Sequence, residues 1–161
     1  MKYNTALPFF HEEDIKEILR ETENILRGNG LLSMGRFVDD FERLFSEYNN
    51  SKYCIATSSC TSAIEIALSA LNISTNDEVI VPVQTFIATG SAVTRLGGRP
   101  IFCEVNSNFL LDFDDMKNKI NSSTKAVILV HYSGLIHENI FHIKKYLNER
   151  GISLIEDAAH A

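Results

Sequence analysis

Tryptophan is absent from the 161 residues, proline occurs three times, and cysteine only at Cys54, Cys60 and Cys103. An odd cysteine count with no Cys-x-x-Cys pair excludes a disulfide framework and a cysteine zinc site. The expected compartment is the reducing cytoplasm. Basic residues are also few, 15 against 21 acidic, for a formal net charge of −6. With no Lys or Arg run to follow a phosphate backbone, nucleic acid is not an expected partner. No apolar run reaches the ~20 residues that cross a bilayer. Met1-Lys2-Tyr3-Asn4 leads into Pro8 and an acidic stretch rather than a signal core, so no membrane partner is expected. What the chain does have is 45% hydrophobic content, enough at this length for about one domain with a real core and enough to exclude disorder.

Five apolar, β-branched runs read as strands: Tyr53 to Thr57, Val79 to Val83, Pro100 to Val105, Ala126 to His131 and Ile152 to Ile155. Helical patterns separate several of them. Ala63, Ile66, Ala67 and Ala70 follow the first run, Ile87 to Leu96 the second, and Phe141 to Leu147 the fourth. Alternation of this kind requires crossover connections, hence an α/β fold in three layers with a mostly parallel sheet between helices. Gly97-Gly98 is placed to end the second helix, and Asn76-Asp77 to turn into the second strand. Ahead of the sheet, residues 1–50 form a helical segment. One helix carries Ile15, Ile18, Leu19, Thr22, Ile25 and Leu26 on a single face, the next Phe37, Phe41, Leu44, Phe45 and Tyr48. Both faces need covering. The loop between them, Gly28 to Gly35, reads equally well as a hinge or as a substrate-lining loop.

Three stretches carry chemistry. Ala56-Thr57-Ser58-Ser59-Cys60-Thr61-Ser62-Ala63 joins a strand to a helix through small and hydroxylic residues. Free amides and the positive end of the helix dipole make such a junction a phosphate cradle, although ordinary N-capping also explains its serines. It contains no glycine, which excludes the G-x-G-x-x-G turn of a dinucleotide fold. In Val81-Pro82-Val83-Gln84-Thr85-Phe86 a strand ends and Phe86 opens a helix, where an aromatic can cover a flat ring or simply pack into the core. At Ile155-Glu156-Asp157-Ala158-Ala159-His160 a strand tip delivers an acid, to a ligand or to a structural hydrogen bond. The histidines do not suggest a metal, since His137 and His142 are five apart and His11 and His131 are isolated. A phosphate at the first turn, a ring against Phe86 and a protonated ring nitrogen opposite Asp157 are the three parts of pyridoxal 5'-phosphate.

These stretches resemble the sugar aminotransferases of DegT and StrS type, within the aspartate aminotransferase fold. The resemblance runs from Gly30-Leu31-Leu32-Ser33-Met34-Gly35 through Ser59-Cys60-Thr61, Asp77-Glu78-Val79-Ile80-Val81-Pro82, Thr85-Phe86-Ile87-Ala88-Thr89 and Val130-His131-Tyr132-Ser133-Gly134 to Glu156-Asp157-Ala158-Ala159-His160. It implies the N-terminal part of the large domain of a fold-type-I pyridoxal-phosphate enzyme, spanning residues 51–161, without the small C-terminal domain. It also implies that Cys60, Thr61 and Ser62 surround the cofactor phosphate, Phe86 stacks on the ring, Asp157 meets its nitrogen, and His160 sits near the phenolic oxygen. Cys60 and Asn76 each stand where many members have glycine.

The implied reaction transfers an amino group, with glutamate as donor, to a nucleotide-linked keto-deoxysugar for surface polysaccharide or deoxysugar biosynthesis, in a homodimer. The family's Schiff-base lysine follows the acid strand, and none of the eight lysines here stands in such a motif. The chain on its own is therefore expected to be inactive. A truncated, noncatalytic remnant or binding subunit of the same family is the alternative reading.

Overall fold

A computed structural model describes residues 8–161. Met1 to Asn4 and Lys2, discussed above, lie outside the described residues. The chain divides into two units, Met1–Ala56 and Thr57–Ala161.

In the first unit, α1 spans Glu12–Asn24 and α2 Arg36–Tyr48. Three acidic residues, Glu12, Glu13 and Asp14, occupy the first turn of α1, where they complement the helix dipole. After Asn24 the helix continues as one widened turn and ends at Gly28, whose φ of +91° suits a residue without a Cβ. No side chain of either helix is buried, so the apolar stripes remain uncovered, with Leu19 and Leu44 exposed.

The second unit opens with α3, Cys60–Ala70. Strands β1 (Glu78–Pro82), β2 (Arg99–Cys103), β3 (Thr124–Val130) and β4 (Ser153–Asp157) follow, with helices α4 (Ile87–Arg95), α5 (Phe113–Lys119) and α6 (Ile140–Asn148) between successive strands. Every pair is parallel, in the order β2-β1-β3-β4. Period-two alternation divides each central strand between two cores. Val79 and Val81 with Ala126 and Ile128 pack beside Ile64, Leu68, Ala92 and Val93 on one face. Ile80 with Val127 and Leu129 packs beside Met116, Ile143 and Leu147 on the other. The three-layer architecture follows from that division.

Three features differ from the sequence reading. Tyr53 to Thr57 is not a strand. It keeps alternating exposure, with Tyr53 and Ile55 outward, but pairs with no strand among the described residues. The Ala56 amide instead donates to the Glu42 carboxylate at 2.7 Å. A lone extended segment cannot satisfy its backbone as a ladder does. In α3 the buried stripe is Ile64 and Leu68, four apart on one helix face, while Ile66 lies on the other face and points outward. Helix α5 was not legible as apolar periodicity; its signal is the cap, where the Asp112 carboxylate accepts from the Asp115 amide at 2.8 Å.

The turns behave as their residues dictate. Asn76 sits at φ +82° and Gly97 at φ +85°. Gly98, tucked under the α4 terminus, leaves no room for a methyl: a Cβ there would stand 2.6 Å from Ile73 Cγ2 and 3.1 Å from Val93 Cγ1. Gly90 inside α4 is the opposite case, with ordinary contacts of 3.7 and 3.8 Å to Phe102. Gly98→Ala is expected to destabilise by about 1–3 kcal/mol through overpacking, and Gly90→Ala to stabilise by about 0.5–1 kcal/mol through helix propensity. Urea unfolding midpoints of the two variants, moving in opposite directions, check both.

Candidate active site

From β1 the chain crosses through α4 outward to β2, and from β3 it crosses through α6 the other way to β4. The sheet therefore has a switch point between β1 and β3, where the segments leaving the carboxyl ends part and open a crevice. A cavity of about 460 Å³ lies there. The tip of β1 supplies Gln84, Thr85 and Phe86, the tip of β3 supplies Tyr132, the tip of β4 supplies Asp157 and then His160, and the start of α3 supplies Cys60 and Thr61.

The start of α3 is capped by a side chain. The Ser59 side chain accepts from the Ser62 amide at 3.2 Å, and the Ala63 amide bonds the Ser59 carbonyl. The Cys60 and Thr61 amides have no such partner and stand at the cavity with the positive end of the dipole. Ser62 does not line the cavity; its hydroxyl turns back to Ser59 Oγ at 3.1 Å.

Phe86 occupies the N-cap position of α4 and, as an aromatic, makes no side-chain cap bond. A cap worth about 0.5–2 kcal/mol is forgone there, and the ring is 74% exposed rather than packed in the core. Its flat face is available to a ligand.

Asp157 is 7% exposed. Its Oδ1 accepts from the Ala159 amide at 3.1 Å and lies 3.5 Å from Cys60 Sγ, and its Oδ2 accepts from the Thr89 hydroxyl at 3.3 Å. All three donors are neutral, and no Lys or Arg among the described residues lines the cavity. A carboxylate taken out of water with no counter-charge is a costly arrangement. His160 accepts from the Ser133 amide at its Nδ1, 3.3 Å away, and its ring meets Tyr132 edge-on at 6.3 Å. The turn that sets this up has Ser133 at φ +54° and Gly134 at φ +81°, and a Cβ on Gly134 would come within 2.9 Å of the His160 carbonyl.

Five of the six residues singled out from the sequence thus line one cavity, Ser62 being the exception. Gln84, Thr89 and Tyr132 join them; for Thr89 the available signal was its spacing of four from Thr85, which puts both hydroxyls on one side of the helix start. Of the remaining histidines, His131 is buried against Glu156 at 3.0 Å and His137 against the Leu111 carbonyl at 2.8 Å, while His11 and His142 are exposed. No cluster of His, Cys, Asp and Glu able to hold a metal occurs among the described residues.

An open parallel α/β domain in which a helix N-terminus and a buried acid line one cavity at the switch point has the arrangement in which folds of this class bind ligands. The chain belongs to the DegT/DnrJ/EryC1/StrS aminotransferase family, whose model matches residues 12–161. It is 37% identical over 147 residues to the 3-oxo-glucose-6-phosphate:glutamate aminotransferase of Bacillus subtilis, covering 91% of this chain and 33% of that protein. It is 38% identical over 130 residues to the GDP-perosamine synthase of Vibrio cholerae, covering 80% of this chain and 35% of that protein. The solved structure of NtdA from Bacillus subtilis with bound cofactor PMP superposes with a TM-score of 0.83 at 34% identity, over 98% of this chain and 37% of that one. The chain spans about a third of the length of these relatives.

The thiols report on the cavity. Burial, and then the charge of Asp157, push the Cys60 thiol above its ordinary value. Burial, and then the bond to Asp115, push Cys103 up to about 12. A thiolate beside a carboxylate is disfavoured, so removing that charge lowers the Cys60 value. Asp157→Asn is expected to speed alkylation of Cys60 by iodoacetamide at pH 8 by about three- to tenfold, with Cys103 unreactive in both proteins, as read by peptide mass spectrometry.

Proposed function

We propose that this chain forms the cofactor-holding part of a pyridoxal-phosphate-dependent aminotransferase that moves an amino group from glutamate to a nucleotide-linked keto-deoxysugar, in surface polysaccharide or deoxysugar biosynthesis. The observation that carries the reading is the buried Asp157 carboxylate, which has only neutral partners among the described residues and lines one cavity with Cys60 and Thr61, whose amides are unpaired. These residues fit pyridoxal phosphate in kind: amides and a dipole for the phosphate dianion, an exposed ring at Phe86 for the pyridine face, an acid for the ring nitrogen. The names of the relatives support a sugar acceptor, and one of them names glutamate.

When bound, the cofactor supplies an electron sink for the carbon that gains or loses the amino group. The chain's own residues bind and orient. In this reading Cys60 and Thr61 hold the phosphate through their amides, with Ser62 supporting the turn. Phe86 covers the ring and excludes water from one face. Asp157 keeps the proton on the ring nitrogen, because the charge that satisfies the acid is the charge that makes the ring electron-poor. His160, which lines the cavity, would lie on the side of the phenolic oxygen.

Moving a proton at the substrate carbon requires an amine. None of the seven described lysines lines the cavity; Lys119 and Lys125, for example, pair with Asp115 and Asp77. We therefore assign these 161 residues the cradle but not the amine, and expect no amino transfer from them alone. A cytoplasmic homodimer is part of the proposal. It is supported by apolar surface beside the cavity, where Ile87 and Phe102 are exposed. No described helix is long and apolar enough to cross a membrane.

The test is reconstitution with pyridoxal phosphate, borohydride reduction and peptide mapping, with amino-transfer assays on a panel of nucleotide-linked keto sugars and keto-sugar phosphates. The isolated chain is expected to bind the cofactor without a site-specific lysyl adduct and without turnover; an adduct with turnover overturns the assignment of the amine. In a polypeptide that contains this chain and does transfer amino groups, Asp157→Asn is expected to lower turnover by at least about a hundredfold while the fold persists. Near-normal turnover in that variant overturns the role of Asp157, and amination of keto-sugar phosphates alone overturns the nucleotide-linked acceptor.

A further inference from the structure

We propose that Thr89 is a positioning residue for Asp157, and that its hydroxyl, oriented in turn by Thr85, fixes the carboxylate in the plane presented to the cavity. The proposal rests on the reading of Asp157 given above.

Thr89 is fully buried in the first turn of α4. A hydroxyl inside a helix ordinarily satisfies itself on a carbonyl one turn back. Its helix neighbours do so: Ser91 Oγ donates to the Ala88 carbonyl at 3.3 Å and Thr94 Oγ1 to the Ser91 carbonyl at 2.9 Å. Thr89 instead reaches out of its helix to a strand 68 residues further along and donates to Asp157 Oδ2.

The direction of the chain of bonds is fixed by counting protons. An ionised carboxylate can only accept, so the single proton of Thr89 is committed to Asp157. In the 2.8 Å contact between Thr85 Oγ1 and Thr89 Oγ1, Thr85 must then be the donor. A hydroxyl that accepts while donating is polarised toward donation. Thr85 lines the cavity wall next to Phe86, so the relay links the aromatic cap of α4 to the acid at the tip of β4.

The consequence is orientation. The terminal torsion of an aspartate is broad and two-fold. Here the two oxygens are distinguished: Oδ1 by the Ala159 amide and the Cys60 thiol, Oδ2 by Thr89 alone. Without the Thr89 hydroxyl, nothing else among the described residues holds Oδ2.

Two substitutions separate positioning from packing. Thr89→Val keeps the volume and removes the hydroxyl; Thr89→Ser keeps the hydroxyl and removes the methyl. Each is compared in the full chain by the carboxyl ¹³C shift and Hα–Hβ couplings of Asp157 without cofactor, and by the affinity for pyridoxamine phosphate. Positioning predicts that Thr89→Val shifts the Asp157 carboxyl signal and weakens affinity by about tenfold, one charge-assisted hydrogen bond, whereas Thr89→Ser stays close to the parent in both. A merely structural role predicts the reverse order, with Thr89→Ser the worse variant. That order, or an Asp157 signal unmoved in Thr89→Val, overturns the proposal. If the parent chain binds no pyridoxamine phosphate, the cofactor reading falls and the assigned purpose of the relay falls with it. A carboxyl signal that still moved in Thr89→Val would then show that the bond itself is real, which tells the two failures apart.

Discussion

A carboxylate buried at the end of β4 with neutral donors and no cation is the constraint around which the second unit is organised. Burying such a group costs far more than the surface ion pairs elsewhere in the chain return. The fold surrounds it with what it can offer without adding charge: an amide two residues on, a thiol from the start of α3, and a hydroxyl from α4. Each of these comes from a different element, and each element is held by the sheet. Both oxygens of Asp157 are thereby partnered, but only by neutral groups.

The parallel sheet makes the convergence possible. Because β1, β3 and β4 run in the same direction, their carboxyl ends lie at one edge, and the segments leaving them deliver Phe86, Tyr132 and Asp157 to one crevice. The two cores on the faces of the sheet hold the helices whose N-termini border that edge. The opposite end is pinned separately, by the buried Glu78 carboxylate between the Arg99 guanidinium and the Asn121 side-chain amide. Rigidity at one end and an open crevice at the other follow from the same strand direction.

Local cost is visible where function is assigned. Helix α4 starts on an aromatic that cannot cap it. Ser133 and Phe109 adopt positive φ, which is unfavourable for a residue with a side chain, and the Phe109 ring lies 5.9 Å from that of Tyr132 at the cavity rim. Departures from local preference of this kind gather where surrounding structure enforces them.

Much of this was legible in the residues alone. Four of the five β-branched runs became strands within a residue or two, because period-two burial against two cores is written directly into their side chains. The positive φ at Asn76 and Gly97 likewise follows from residue type. Tyr53 to Thr57 has the same local pattern and did not become a strand, since a ladder depends on a neighbour, which no local pattern specifies. The helix start at Cys60 and Thr61, Phe86 and Asp157 were identifiable as candidates because their chemistry is local: a polar helix start, an aromatic at a strand end, an acid at a strand tip; His160 was implied by the family resemblance. Their meeting in one cavity, the turning of Ser62 back to Ser59, and the passage of the Thr89 hydroxyl to Asp157 were decided only by tertiary structure. Those contacts join residues up to 97 positions apart, and only the order of the strands brings them together.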